Sequence, residues 1–141
     1  MAKKTPISAI YTDLVTALSV VIESKYIFLG GRPDTSSESM NKFAVIELPV
    51  GIEDIAVGRK KFSLSTTGVV YLFVKAKSNG TLNVNTTSDF VESVCGVFPV
   101  NGDYCEAYNP SVLMKGADEY GYQTVSITFD INTKAYVFNE E

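Results

Sequence analysis

The chain has 141 residues, 45% of them hydrophobic and 20% charged, enough to bury the core of one domain and too apolar for disorder throughout. It has no histidine, which excludes Ser-His and Cys-His catalysis and His-ligated metals, and its two cysteines, Cys95 and Cys105, are too few for a structural zinc site or a disulfide scaffold. A formal net charge of −4 argues against general affinity for nucleic acid, which calls for a basic excess.

No apolar run reaches the roughly 18 residues a membrane-spanning helix needs. The best, Leu14–Ile22, is interrupted by Thr16 and Ser19. Lys3 and Lys4 resemble the head of a signal peptide, but Asp13, Glu23 and scattered hydroxyls break the apolar segment that should follow. The expectation is a soluble protein of the cytoplasm in which it is made.

Taken in chain order, the first element is an amphipathic helix. Thr5 can cap it, Pro6 suits its first turn, and Ile7, Ile10, Leu14, Leu18 and Val21 or Ile22 recur at spacings of three and four. A short apolar run, Tyr26–Leu29, stops at Gly30-Gly31. Residues 30–42 (GGRPDTSSESMNK) read as a polar loop, long for a compact domain and suited to ordering against a neighbour. Phe43–Leu48 reads as a strand ended by Pro49, and residues 49–58 as an uncertain segment with turn character.

Two strands are expected next, 59–65 and 69–77, joined by a tight Thr66-Thr67-Gly68 link into an antiparallel hairpin. In the second strand Val70, Leu72, Val74 and Ala76 oppose Tyr71, Phe73, Lys75 and Lys77. Both faces are partly apolar, as in a central strand. A second helix runs from about Asn85 or Thr86 to Phe98, with Phe90, Val91, Val94, Cys95 and Phe98 as its stripe and Pro99 as its stop. The remainder is β-rich: Tyr104–Tyr108, then 111–115, then 122–131, whose Val125, Ile127, Phe129 and Ile131 alternate with polar residues, then a short 135–138. The fold class is α+β, one domain over residues 1–141, ordered α-β-β-β-α-β-β. The short links favour a mostly antiparallel sheet, with the N-terminal helix and the second helix packed on it.

Catalytic and cofactor signals are weak. The acid pairs Glu53/Asp54, Asp118/Glu119 and Glu140/Glu141 lack ligand spacing, and Gly30-Gly31-Arg32-Pro33 lacks the glycine pattern of a phosphate loop. No catalytic residue, cofactor or metal is expected. Cys95 reads as a small core hydrophobe and Cys105 as part of a polar segment, neither beside an activating base. The basic group Arg59, Lys60, Lys61, Lys75 and Lys77 falls at the open end of the expected hairpin, either as a solvated strand end or as a patch for an acidic neighbour. Tyr104, Tyr108, Tyr120 and Tyr122 suit an interface or the edge of a core equally.

The order of elements resembles the tail-terminator or tail-completion proteins of tailed bacteriophages. The resemblance rests on the helix Ile7–Glu23, the polar Gly/Pro loop, the strand FAVIELP, the aromatic-rich FSLS…VVYLFVKAK segment, a short helix and the closing GYQTVSITFDI strand, most of residues 5–131. It implies a structural virion protein rather than an enzyme: a homo-oligomeric ring, hexameric or higher and possibly twelve-fold. Such a ring caps the tail or joins it to the portal and tail proteins around a channel that DNA crosses without sequence-specific binding. It implies a place in the virion neck, with no membrane partner. The loop and hairpin positions matching subunit contacts are Arg32, Asp34, Ser37, Glu38, Arg59, Lys61, Lys75 and Lys77, to which the late tyrosines Tyr120 and Tyr122 add. The competing expectation is a small monomeric or dimeric protein-binding module with a regulatory or inhibitory role.

Overall fold

In the computed structural model, which describes residues 6–30, 41–48, 53–56, 61–77, 81–118, 121–133 and 136–137, the apolar stripe of the N-terminal segment folds as helix α1 (Pro6–Leu18). Ile10, Leu14 and Leu18 are almost wholly buried along it, as is Ile22 just beyond its end. The helix is shorter than the stripe. Ser19 donates its hydroxyl to the Val15 carbonyl at 2.6 Å, and the N–H groups of Val21 and Ile22 both turn back to the Leu18 carbonyl. Three consecutive β-branched residues, Val20 to Ile22, are poor at continuing a helix because their side chains crowd the preceding turn.

After a short 3-10 turn at Ser24–Tyr26 come eight strand segments: β1 (Ile27–Leu29), β2 (Lys42–Glu47), β3 (Glu53–Ala56), β4 (Lys61–Lys75), β5 (Val100–Asn101), β6 (Cys105–Ala117), β7 (Tyr122–Thr133) and β8 (Tyr136–Val137). They form one mixed sheet in the order β1-β2-β4-β7-β6-β5. β4 is its spine. On one side it pairs with β2 along residues 69–74 and with β3 along 62–65; on the other it pairs with β7 along 65–75 and with β8 at 61–62. Helix α2 (Val84–Cys95) lies between β4 and β5 in the chain. It buries Thr87, Phe90 and Val94 and leaves Val91 and Cys95 half-buried.

The main core lies between the helices and one face of the sheet, where Val70, Leu72, Val125, Ile127, Phe129 and Ile131 are at most 1% exposed. The alternation in β4 and β7 places them there. The other face carries a second, aromatic cluster of Phe43, Val45 and Tyr122. Phe43 stacks on Phe73 with ring centroids 4.6 Å apart and meets Tyr122 edge-on at 5.4 Å.

Three expectations are corrected. The hairpin 59–65/69–77 does not exist: Thr66, Thr67 and Gly68 continue β4 as one strand of 15 residues. Thr66 and Thr67 are β-branched and suit a strand. Gly68 has no left-handed backbone; its missing side chain makes room for Phe129 and Ile131, which would lie 2.7 and 2.8 Å from a Cβ there. The sheet is mostly antiparallel, as expected; among the described strands β1 runs parallel to β2, the connection over residues 30–41 being long enough for a crossover. Residues 53–56, within the segment read as uncertain with turn character, are β3. The segments 104–108 and 111–115 belong to a single β6, which absorbs Asn109 (φ 59°) and Pro110 in an irregularity of the ladder with β7.

No helix among the described residues is long and apolar enough to cross a membrane.

Candidate functional site

Asp13 sits on α1 between Ile10 and Leu14, inside the apolar stripe, and is only 6% exposed. Its Oδ2 accepts the backbone N–H of Tyr104 at 2.7 Å and of Cys105 at 2.9 Å. These donors belong to the tight turn between β5 and β6, closed by the Gly102 N–H donating to the Cys105 carbonyl at 2.9 Å. A buried carboxylate is tolerated where N–H groups satisfy it, and here it fixes the turn against the helix. With that oxygen spent on two backbone donors, Asp13 reads as a positioning group rather than a proton carrier.

Beside Asp13 opens a cleft of about 800 Å³ between the C-terminal ends of α1 and α2 and the segment 97–104. Among the described residues its walls carry three carboxylates, Asp13, Glu92 and Asp103, and no lysine or arginine. Both helix C-termini add partial negative charge. Val20, 83% exposed, and Val21 line its rim. The cleft therefore suits a group that is cationic and apolar together, such as a basic side chain of another protein.

The ends of the sheet form the second feature. Among the described residues, β6 is covered on its outer side by β5 only at Glu106 and Ala107. The stretch Ser111–Ala117 is exposed throughout, with Val112 at 43%, Leu113 at 59% and Met114 at 51%. At the opposite end, among the described residues, β1 pairs only with β2, and Leu29 is 52% exposed. Proteins commonly blunt such edges with charge, proline or brevity; here β1 has three residues and β6 carries Pro110 and Lys115, yet Leu29 and Val112–Met114 stay exposed beside them. Val112, Leu113 and Met114 are three consecutive exposed apolar residues within the second half of β6.

Of the expected contact residues, Lys61, Lys75, Lys77 and Tyr122 are among the described ones. Lys61 and Lys75 begin and end β4, so at about 3.3 Å per residue they stand tens of ångströms apart. The basic group at one open hairpin end is therefore not formed. Lys75 and Lys77 are exposed near one end of the sheet. Tyr122 is fully buried beside Phe43 and belongs to the monomer's interior, not to its contact surface. Its neighbour Gly121 supplies the left-handed turn residue (φ 84°), and the Asp118 carboxylate accepts the Tyr122 N–H at 2.9 Å. Arg32, Asp34, Ser37, Glu38, Arg59 and Tyr120 lie outside the described residues.

Cys105 is wholly buried although Asp103 and Glu106 beside it are exposed, while Cys95 is half-buried, its thiol pKa pushed up by desolvation. Among the described residues no three acids or cysteines gather as a metal site. Sequence reading missed Asp13, whose signal was a carboxylate inside a helical apolar stripe, and Val112–Met114, an apolar run two residues after Pro110.

No family model and no curated protein matches the chain. Solved structures do match, 24 chains in all, so the architecture is not peculiar to this protein. One of them, whose name describes no function, aligns over 96% of this chain and 95% of its own with a TM-score of 0.58 at 11% identity. At that identity the likeness shows the fold alone.

Proposed function

We propose that this chain is a structural subunit of a tailed bacteriophage, a ring-forming tail terminator or head–tail connector component that surrounds the DNA channel of the virion neck. The observation that carries the reading is the open sheet with apolar contact surface at both ends: Val112, Leu113 and Met114 on β6 at one end and Leu29 on β1 at the other. Two different edges on one subunit are what a head-to-tail ring requires, because each copy offers one and receives the other. The element order of the family resemblance supports the same reading: an amphipathic helix, a β-rich middle, a second helix and a long closing strand. The role is structural rather than catalytic. Net acidity suits a channel wall, since like charge lets the duplex slide rather than adhere. Partners are further copies of the chain and the portal and tail proteins above and below. The test is negative-stain electron microscopy of concentrated protein, in which annular particles support the ring and a field of single small particles opposes it.

The acidic cleft favours a second reading, a small regulatory or inhibitory module that grips one protein partner. Its walls bring Asp13, Glu92 and Asp103 beside the exposed Val20. One-to-one stoichiometry with a basic partner would support it.

A further inference from the structure

We propose that copies of this chain join edge to edge, the outer side of β6 in one copy laddering antiparallel with the outer side of β1 in the next. The inference rests on the ring reading above and names its contact.

Strand direction comes first. β1 is parallel to β2, and the steps from β2 to β4, β4 to β7 and β7 to β6 are all antiparallel. β1 and β6 therefore run in opposite senses. A neighbouring copy that keeps its helices on the same side of the sheet meets β6 with an antiparallel β1.

Register follows from the faces. Ile27 and Leu29 stand beside Ala44 and Ile46 of the helix-side core, whereas Phe28 stands beside Val45 of the aromatic face. Val112 and Met114 stand beside Ile127 and Val125 of the helix-side core, whereas Leu113 stands beside Ser126 on the other face. Setting Phe28 opposite Leu113 places Leu29 opposite Val112 and Ile27 opposite Met114. Every residue then meets one from its own face, all six are apolar, and no charge is buried. A slip of one residue would set each against the wrong face.

Each edge is flanked by a groove under a helix. A groove of about 540 Å³ lies between α1 and Leu29, lined by Tyr11 and Val15. Another of about 260 Å³ lies between α2 and Met114, lined by Leu82, Val84 and Val91, with Val84 59% exposed. Joining β6 to β1 brings the two grooves together, so that α1 of one copy and α2 of the next roof a single apolar row. The contact is heterologous and propagates from copy to copy until the ring closes.

Disulfide trapping tests the pairing. In the double variant Leu29→Cys/Val112→Cys, mild oxidation at rising protein concentration should give a ladder of covalent multimers on a non-reducing gel, because directly opposed strand residues lie within disulfide reach. Leu113→Cys alone should give no dimer beyond that of the wild type, which controls for Cys95 and Cys105. Val112→Glu/Met114→Glu, both changes at exposed positions, should keep the wild-type melt and lose assembly at every concentration. Absence of the ladder in protein that otherwise assembles overturns this contact and leaves the ring reading standing. A dimer from Leu113→Cys alone also overturns it, since β6 would then pair with its own copy. A wild-type chain that stays monomeric throughout removes the ring reading and this contact with it.

Discussion

The carboxylate of Asp13 and the backbone of Gly102 meet so closely that a Cβ at Gly102 would collide with the Asp13 side chain. Helix α1 and the β5–β6 turn are thus joined by a buried acid rather than by apolar packing alone. The Oδ2 bonds to Tyr104 and Cys105 explain why a charged residue sits within the stripe. They also place β6 relative to the helix layer, and with it one of the two sheet edges on which the assembly proposal depends.

Asp13→Ala should lower unfolding free energy by about 2–4 kcal/mol, because the part-buried Tyr104 N–H and the buried Cys105 N–H lose a charged acceptor. Asp13→Asn keeps a neutral acceptor and should lose less than half as much. Urea unfolding of both variants checks the order; an Ala variant as stable as the wild type would contradict the role given to this carboxylate.

Gly68→Ala sets two effects against each other. Removing a glycine from a strand ordinarily stabilises by about 0.5–1 kcal/mol through chain entropy. Here the added methyl would stand 2.7 Å from the Phe129 ring and 2.8 Å from Ile131, inside a core with little room to yield. Overpacking of that kind costs about 1–3 kcal/mol, so the net change should be destabilising. A thermal melt unchanged or raised by the substitution would show that residues 66–68 do not form a packed, continuous strand.

The strand β7 illustrates what is legible in this sequence. Val125, Ile127, Phe129 and Ile131 alternate with polar residues, and all four are buried. The period of two is a local property, and it survives folding because the helices cover one face. The partly apolar second face of β4 likewise announced a strand with neighbours on both sides. Gly68 shows the limit. Its local signal is a turn, while its reason for being glycine is Phe129, a partner on another strand that nothing nearby in the sequence indicates. Asp13 was visible only as an interruption of an apolar segment, since its ligands are backbone groups and backbone carries no sequence. Tyr122 was read among a run of tyrosines suited to a surface, yet the turn at Asp118–Gly121 delivers it into the aromatic cluster.

Tyr122→Ala therefore discriminates between a surface and an interior role. Truncating a buried aromatic costs about 3–5 kcal/mol, whereas a substitution at a free surface stays within about 0.5 kcal/mol. The large loss is expected, because Tyr122 contacts Phe43 edge-on and both rings are fully buried. A small loss in denaturant unfolding would return the residue to the list of contact candidates.

Cys95 offers a pH-dependent readout. Burial raises its thiol pKa, so the folded chain holds that proton more tightly than the unfolded one. Its contribution to stability is fully present below the unfolded thiol pKa and is lost as pH rises through the folded value. The same shift keeps the thiolate scarce. Alkylation of Cys95 by iodoacetamide in the native protein should be slower than in unfolded protein across the mildly alkaline range. Faster native labelling would reveal an activated cysteine and reopen a catalytic reading.

The most direct test of the central claim is native mass spectrometry of the purified chain over a wide concentration range. Assembly through the two sheet edges predicts a closed species of six or more copies that grows with concentration, and its loss in Val112→Glu/Met114→Glu. A monomer at every concentration, in a chain whose melt shows it folded, would contradict the ring and leave the acidic cleft, with its single-partner reading, as the better account.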